Sequence, residues 1–441
     1  MKNRFLPLLS ILLVGLNLLA QNHSLQTDAI VEFPLAEDST IVRNYNDQYS
    51  IGFIRDNGNS YFYSTSIQPF MGTGSVPLTS GTKMPLPPGT VVNDMVQYDG
   101  LTFFCGHFNH VLGIYGWFST NDLCTGTICL VECRYYTPAI NLKKMAIVNT
   151  GLASGPNIVA IGEDFSSLRV NYIVEIVGAM TSGPHLLYAP LPAYTSNIKQ
   201  TLRGVHVIGG QAIFVGVDTR PTYKTFFVKK ANAQHVVYDV QLATTYYYSP
   251  IDGSEIMTQF EPCSEVVNND ILSIAHMAVN NELGTQMAIT NIDVLGTMNC
   301  INTHVLTRYN RTHLYDMRYE PACKSLVLLH GMGSPNPSNF LVYQPLMNTS
   351  YPTHIFSSTE QYRTLDVLGN AGFISAGTNQ WFLQQITSTY FCYPKTEVLV
   401  TLSEYRRTQE VQGISSSVIY PVYTMVPDTV STISIDVNCL R

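Results

Sequence analysis

Asp94-Met95-Val96-Gln97-Tyr98-Asp99-Gly100-Leu101-Thr102-Phe103-Phe104-Cys105-Gly106-His107, followed by Leu112-Gly113-Ile114-Tyr115-Gly116-Trp117-Phe118, is the stretch on which the reading of this chain turns. An apolar-rich run stops at Asp99-Gly100, resumes through Cys105, pauses, and resumes again at Leu112. Asp-Gly tolerates positive φ at both central residues of a two-residue hairpin. The stretch therefore reads as strand, tight turn, strand, longer loop, strand.

Versions of it recur seven times. Each opens at an apolar residue: Val42, Met95, Met145, Val205, Phe260, Met317 and Leu365. Turn residues follow at 46–47, 99–100, 209–210, 268–270, 321–322 and 369–370, while the third unit has a longer link at 149–157. Second strands read as short runs apolar on both faces, at 50–54, 101–105, 158–161, 212–217, 271–275, 326–329 and 372–376. Such runs are buried from both sides. Third strands are expected at 60–67, 112–118, 170–176, 222–229, 287–292, 340–345 and 380–386, and polar fourth strands at positions such as 128–136, 235–242 and 300–308. Residues 29–35 read as an extra strand ahead of the first unit.

Four strands per unit, repeated seven times, resemble the β-propeller architecture in general, over about residues 29–440. One four-stranded sheet cannot cover its own two faces; stacking sheets about an axis does. The expectation is an all-β chain with seven four-stranded blades in a single domain over 29–441, or eight blades if the tail forms a partial one. Three tail strands are expected, at 396–402, 417–425 and 431–439. One would finish the seventh blade, and another would pair with 29–35 to close the ring.

The chain has 441 residues, 45% of them apolar, and carries a net charge of −7. Only 12% are charged, against roughly 25% in an average soluble protein, so the surface must be largely neutral and polar. No Lys/Arg cluster stands out, which argues against nucleic-acid binding. Lys2 and Arg4, the apolar residues 5–19 and Ala20 read as a secretory signal, too short for a membrane span. No Cys near the cleavage point suits a lipid anchor. Residues 21–28 read as a polar, loose start to a monomer that is secreted or resides in the periplasm or cell envelope.

Nine cysteines leave at least one thiol unpaired in any disulfide scheme. Cys105 reads as a small buried residue. Cys124, Cys129 and Cys133 suit disulfides or burial better than zinc, and Cys392 with Cys439 could staple the tail. The dense tyrosines at 61–63, 135–136, 246–248, 420 and 423 suit strands, and exposed ones would suit sugar rings or protein partners.

In this architecture first strands begin and second strands end at the same mouth of the channel. Polar residues sit at both places. Asp94, Lys144, Arg203, Asp316 and Arg363 enter first strands, with Asn93, Lys143, Gln259 and Tyr315 beside them; His107, Glu163, Asp218, His276 and His330 follow second strands. The two rows are expected to ring the mouth, although water selects polar residues at strand ends in any case. Three of the histidines would make a poor metal site, since their units are not all adjacent. Glu163 and Asp218 would suit glycosidic acid/base work if about 5–9 Å apart. No metal or cofactor is expected.

Residues 326–333, Leu-Val-Leu-Leu-His-Gly-Met-Gly, resemble the oxyanion-hole strand of α/β-hydrolases, but the Gly-x-Ser-x-Gly elbow which that family needs is missing. Sialidase, WD and kelch signatures are missing too, and fold alone does not give function. The leading expectation is a non-enzymatic propeller binding a glycan or a protein partner through the channel mouth. The alternatives are a carbohydrate-active enzyme and a structural subunit of an envelope complex.

Overall fold

The computed structural model describes residues 28–32, 38–56, 58–67, 80–127, 131–136, 139–148, 155–166, 169–191, 199–219, 224–232, 236–237, 244–250, 262–280, 284–310, 313–331, 338–343, 353–357, 362–369, 372–377, 380–385, 397–399, 402–408, 415–418, 420–425, 431–434 and 436–440. The fold is all-β. A lone strand, β1 (Asp28–Glu32), precedes sheet I, formed by β2 (Asp38–Tyr45), β3 (Tyr49–Asp56), β4 (Asn59–Ser66) and β5 (Ser80–Leu86). Sheet II holds β6 (Thr90–Tyr98), β7 (Leu101–Phe108), β8 (Leu112–Ser119) and, after the short helix α1 (Thr120–Thr125), β9 (Val131–Tyr136). Sheet III holds β10 (Ile140–Val148), β11 (Asn157–Asp164), β12 (Asn171–Val177) and β13 (His185–Pro190). Sheet IV holds β14 (Lys199–Ile208), β15 (Gln211–Thr219), β16 (Lys224–Asn232) and β17 (Thr244–Pro250). Sheet V holds β18 (Cys263–Val267), β19 (Ile271–Asn280), β20 (Gly284–Asp293) and β21 (Cys300–Asn310). Sheet VI holds β22 (His313–Glu320), β23 (Ser325–Gly331), β24 (Ser338–Tyr343) and β25 (Thr353–Ser357). Sheet VII takes β26 (Tyr362–Leu368), β27 (Gly372–Gly377) and β28 (Gln380–Gln385), with β1 as its fourth strand. Neighbouring strands are antiparallel throughout, and the β6–β7 turn has the expected positive φ at Asp99 (48°) and Gly100 (73°).

The tail carries β29 (Glu397–Leu399), β30 (Leu402–Thr408), β31 (Ser415–Val418), β32 (Tyr420–Met425), β33 (Ser431–Ser434) and β34 (Asp436–Leu440). These add a fifth strand to sheets V, IV, III, II, I and VII in turn. Each expected tail strand is thus two, because its halves pair with different sheets. No tail strand finishes the seventh unit: β1 does, with Ala29 opposite Leu383, and β34 then pairs with β1, setting Asp28 opposite Leu440. The tail builds no eighth sheet among the described residues.

The fourth strand of sheet IV also departs from expectation. Residues 235–242 were expected to form it, but Val236 and Val237 are helical and buried, and the strand is β17, with Tyr246–Tyr248 in it. A β-branched apolar pair suits either a strand or a buried turn, and Val236 packs into the cluster between sheets III and IV. Phe260 lies outside the described residues; by register with β19, Ser264 holds its position in sheet V. The six other opening residues share one register and are all buried.

Among the described residues, buried apolar side chains fall into seven clusters, and each joins two neighbouring sheets. Phe62 of sheet I meets Phe104 and Phe118 of sheet II, with ring centroids 4.9 and 4.6 Å apart. The last cluster in the cycle joins Trp381 and Leu383 of sheet VII to Val42 and Tyr63 of sheet I. The first strands touch in the same cyclic order, ending with β26 against β2. At about 25 cal/mol per Å² of apolar area, these clusters are the main favourable term. Cys105 is buried as expected. Cys124 and Cys133 are free and buried, Cys129 and Cys392 lie outside the described residues, and so does the side chain of Cys439. No helix among the described residues is long and apolar enough to cross a membrane.

Candidate functional site

Six of the seven first strands carry a β-bulge at one place, two residues before the opening apolar residue. The bulged residues are Thr40, Asn93, Lys143, Arg203, Tyr315 and Arg363. A bulge bends its strand and re-aims a side chain. It also crowds the partner strand. Opposite it stand Gly106, Gly162 and Gly216 in sheets II, III and IV, where a Cβ would lie within 2.7 Å of Asn141 O at Gly162 and 2.6 Å of Thr201 O at Gly216, and nearer still to Val91 O at Gly106.

First strands from all seven sheets line one cavity of about 1130 Å³. Side chains alternate along a strand: the opening residue turns into one inter-sheet cluster and its two neighbours turn the other way, where Ile41, Val96 and Ala146 pack with further clusters while Arg43, Asp94, Glu265, Asp316, Arg318 and Asp366 line the cavity. Those neighbours build a network. Arg43 of β2 donates to Asp94 Oδ1 at 2.6 Å and to Met95 O at 2.9 Å, and Asp94 Oδ2 accepts from Met145 N of β10 at 3.0 Å. On the other side Arg318 of β22 lies 3.1 Å from Glu265, 3.4 Å from Asp316 and 3.7 Å from Asp366. Asp316 accepts from Leu365 N at 3.1 Å, and Asp366 accepts from Asn44 N at 2.7 Å. The network therefore links sheets I, II and III on one side and sheets V, VI, VII and I on the other.

Burial would raise the Asp316 carboxyl, but Arg318, then Lys144 and Arg43, hold it below the usual range. Burial prevails at Glu265 and Asp366, whose carboxyls are raised despite Arg318 and Arg43. Burial alone would loosen the proton of Arg318; the carboxylates of Asp316, Glu265 and Asp366 more than reverse that. His206 of β14 shares a 2.9 Å hydrogen bond with Ser264 Oγ, and burial, reinforced by Arg318 and Lys144, holds its ring down to about 4.

Of the ten residues singled out in the sequence, Asp94, Lys144, Glu163, Arg203 and Asp316 line the cavity. His107, Asp218, His276, His330 and Arg363 do not. The second-strand row is not a ring of one register. Counted from the residue opposite each opening position, His107 and Glu163 come third, His276 and His330 second, and Asp218 fourth. One residue of slip turns a side chain to the other face. His107 instead packs, tilted, against exposed His110 with ring centroids 4.3 Å apart, and edge-on against Phe165. His276 is fully buried, 2.8 Å from Thr290 Oγ1 and 4.8 Å from the Phe226 ring. Asp218 and His330 are buried within sheets IV and VI, and Arg363 is exposed. The histidines do not converge: among the described residues no three His, Cys, Asp or Glu side chains could hold a metal ion.

The sequence reading missed Arg43, His206, Glu265, Arg318 and Asp366. Arg43, His206, Arg318 and Asp366 each follow a sequence-assigned opening position by one residue, so strict alternation about the buried residue would have found them; Glu265 follows Ser264, whereas the sequence reading places that opening at Phe260. Leu326–Gly331, read above against the hydrolase pattern, is the fully buried second strand of sheet VI. The chain matches no known protein family, and no curated protein is significantly similar to it.

Proposed function

We propose that the seven sheets form a seven-bladed β-propeller, and that the chain is a secreted, non-enzymatic protein that binds a glycan or a protein partner at the mouth of the central cavity. The cyclic order of the seven clusters supports the ring. One observation carries the binding reading: every sheet contributes its first strand to a single cavity large enough for a small ligand. A carbohydrate-active enzyme is the weaker reading, because Glu163 lines the cavity while Asp218 lies buried away from it, and Glu163 is 3.1 Å from Lys143.

A glycan array probed with the full chain, alongside cross-linking in its native envelope fraction, tests this. Saturable binding to one glycan class or one cross-linked partner, weakened by substitutions in the cavity wall, is the expected result. Polysaccharide hydrolysis abolished by Glu163→Gln would replace the binding reading with the enzymatic one.

A further inference from the structure

One opening position breaks the rule of the other six. Val42, Met95, Met145, Val205, Met317 and Leu365 are buried, each in the cluster shared with the preceding sheet. Ser264 holds the same register in sheet V and is half-buried at the cavity wall. Its Oγ lies 2.9 Å from Nε2 of His206, on the first strand of sheet IV. His206 is also half-buried at the cavity wall, and its Nδ1 has no hydrogen-bond partner among the described residues. Gly204, on the same strand, makes room for the pair: a Cβ there would run into Ser264 Oγ and come within 3.4 Å of His206 Nε2. Three positions on two sheets thus agree on a hydroxyl–imidazole pair where the pattern calls for an apolar contact. Departures of a chain from its own pattern concentrate at functional sites.

Resting on the reading of this cavity as a ligand site, we propose that Ser264 and His206 read adjacent hydroxyls of a neutral saccharide. The pair itself is neutral: burial, then Arg318 and Lys144, hold the ring down to about 4 against the pull of Asp94, so the imidazole is uncharged at neutral pH. In either tautomer the pair offers a ligand one donor and one acceptor. With Ser264 donating to Nε2, Nδ1–H donates and Oγ accepts; with Nε2–H donating to Oγ, the hydroxyl donates and Nδ1 accepts. A sugar hydroxyl is itself both donor and acceptor, so two of them suit both arrangements, whereas an ionic group finds no opposite charge on this pair. Depth favours a free sugar over a protein. His206 stands three residues beyond the bulged Arg203 along β14, about 10 Å at 3.3 Å per residue. A short side chain of a folded partner resting on the mouth does not span that depth, while a small saccharide enters whole.

Calorimetric titration of the full chain tests the assignment. The probes are maltotriose, cellotriose, mannotriose and xylotriose, with the trisaccharides of galacturonate and of glucosamine as charged controls. At least one neutral trisaccharide should bind. Ser264→Ala and His206→Phe should each weaken it about fivefold to tenfold. The double variant should lose little more than either single one, because the two groups act as a unit. Melting curves confirm that each variant is folded; should His206→Phe fail to fold, Ser264→Ala, which removes a single oxygen, carries the test. Neutral-sugar binding indifferent to Ser264→Ala overturns the assignment of the pair and leaves the ligand site standing. Binding of a charged trisaccharide without any neutral one overturns the neutral class. Silence from every sugar overturns the proposal: one cross-linked protein in the envelope fraction then makes the cavity a protein site, and no cross-linked protein sinks the ligand-site reading as well.

Discussion

Arg318 holds three carboxylates of three sheets, with its side chain 18% exposed. Removing one partner of a buried ion pair leaves the other charged and dry. Arg318→Met should therefore cost about 3–5 kcal/mol, read as a drop in the urea midpoint; a loss below about 1 kcal/mol would mean that water already screens the cluster. The histidines set the acid limit. Burial holds His107, His206 and His276 down to about 4, against roughly 6.5 in an unfolded chain. A depressed histidine contributes its full stability above the unfolded value and loses it as pH falls toward the folded one. Glu265 and Asp366, raised by burial, act in the opposite sense, from the ordinary carboxylate value upward, and the three histidines together oppose them. The melting temperature should fall as pH drops from about 6.5 toward 4, and His276→Asn should flatten that profile. A parent profile with no fall over this span would show these rings to be charged or wet.

At the scale of the strand, the repeat was legible because local rules wrote it. Asp99-Gly100 fixed a turn, and two-sided apolar runs fixed the second strands. The buried charges were not legible, because Arg43 meets Asp94 across 51 residues of sequence and only the stacking of sheets brings them together. The bulge was legible as polarity but not as geometry: Asn93, Lys143, Arg203 and Tyr315 stood out, while the glycines opposite did not. Gly216 makes that geometry testable. A methyl group there would meet Thr201 O at 2.6 Å and run into the Phe227 ring. Gly216→Ala should cost about 1–3 kcal/mol by overpacking, measured by chemical denaturation; a neutral result would show the bulge to be pliant.

Across the whole molecule, the backbone of the tail joins itself to the edges of six sheets. The seven described clusters draw on sheets I–VII, while the tail strands pair with outer edges. Unpaired edges invite other chains. Truncation after residue 396 should thus leave the fold, seen as retained circular dichroism, but yield oligomers in light scattering; a monodisperse monomer would show the edges to be guarded by other means. The sequence reading saw strands in this tail but not their route, since nothing local says which distant sheet a short strand will join.

One pairing bears on how the molecule answers a mechanical load. β1 and β34 run antiparallel with Asp28 opposite Leu440 and Glu32 opposite Asp436, so both outer ends leave from the same side. Tension applied through them opens that pair one hydrogen bond at a time, like a zipper, instead of shearing all its bonds at once. Once it parts, the tail peels from sheets I, II, III, IV and V in succession, a stepwise, low-force unravelling that leaves the apolar interior for last.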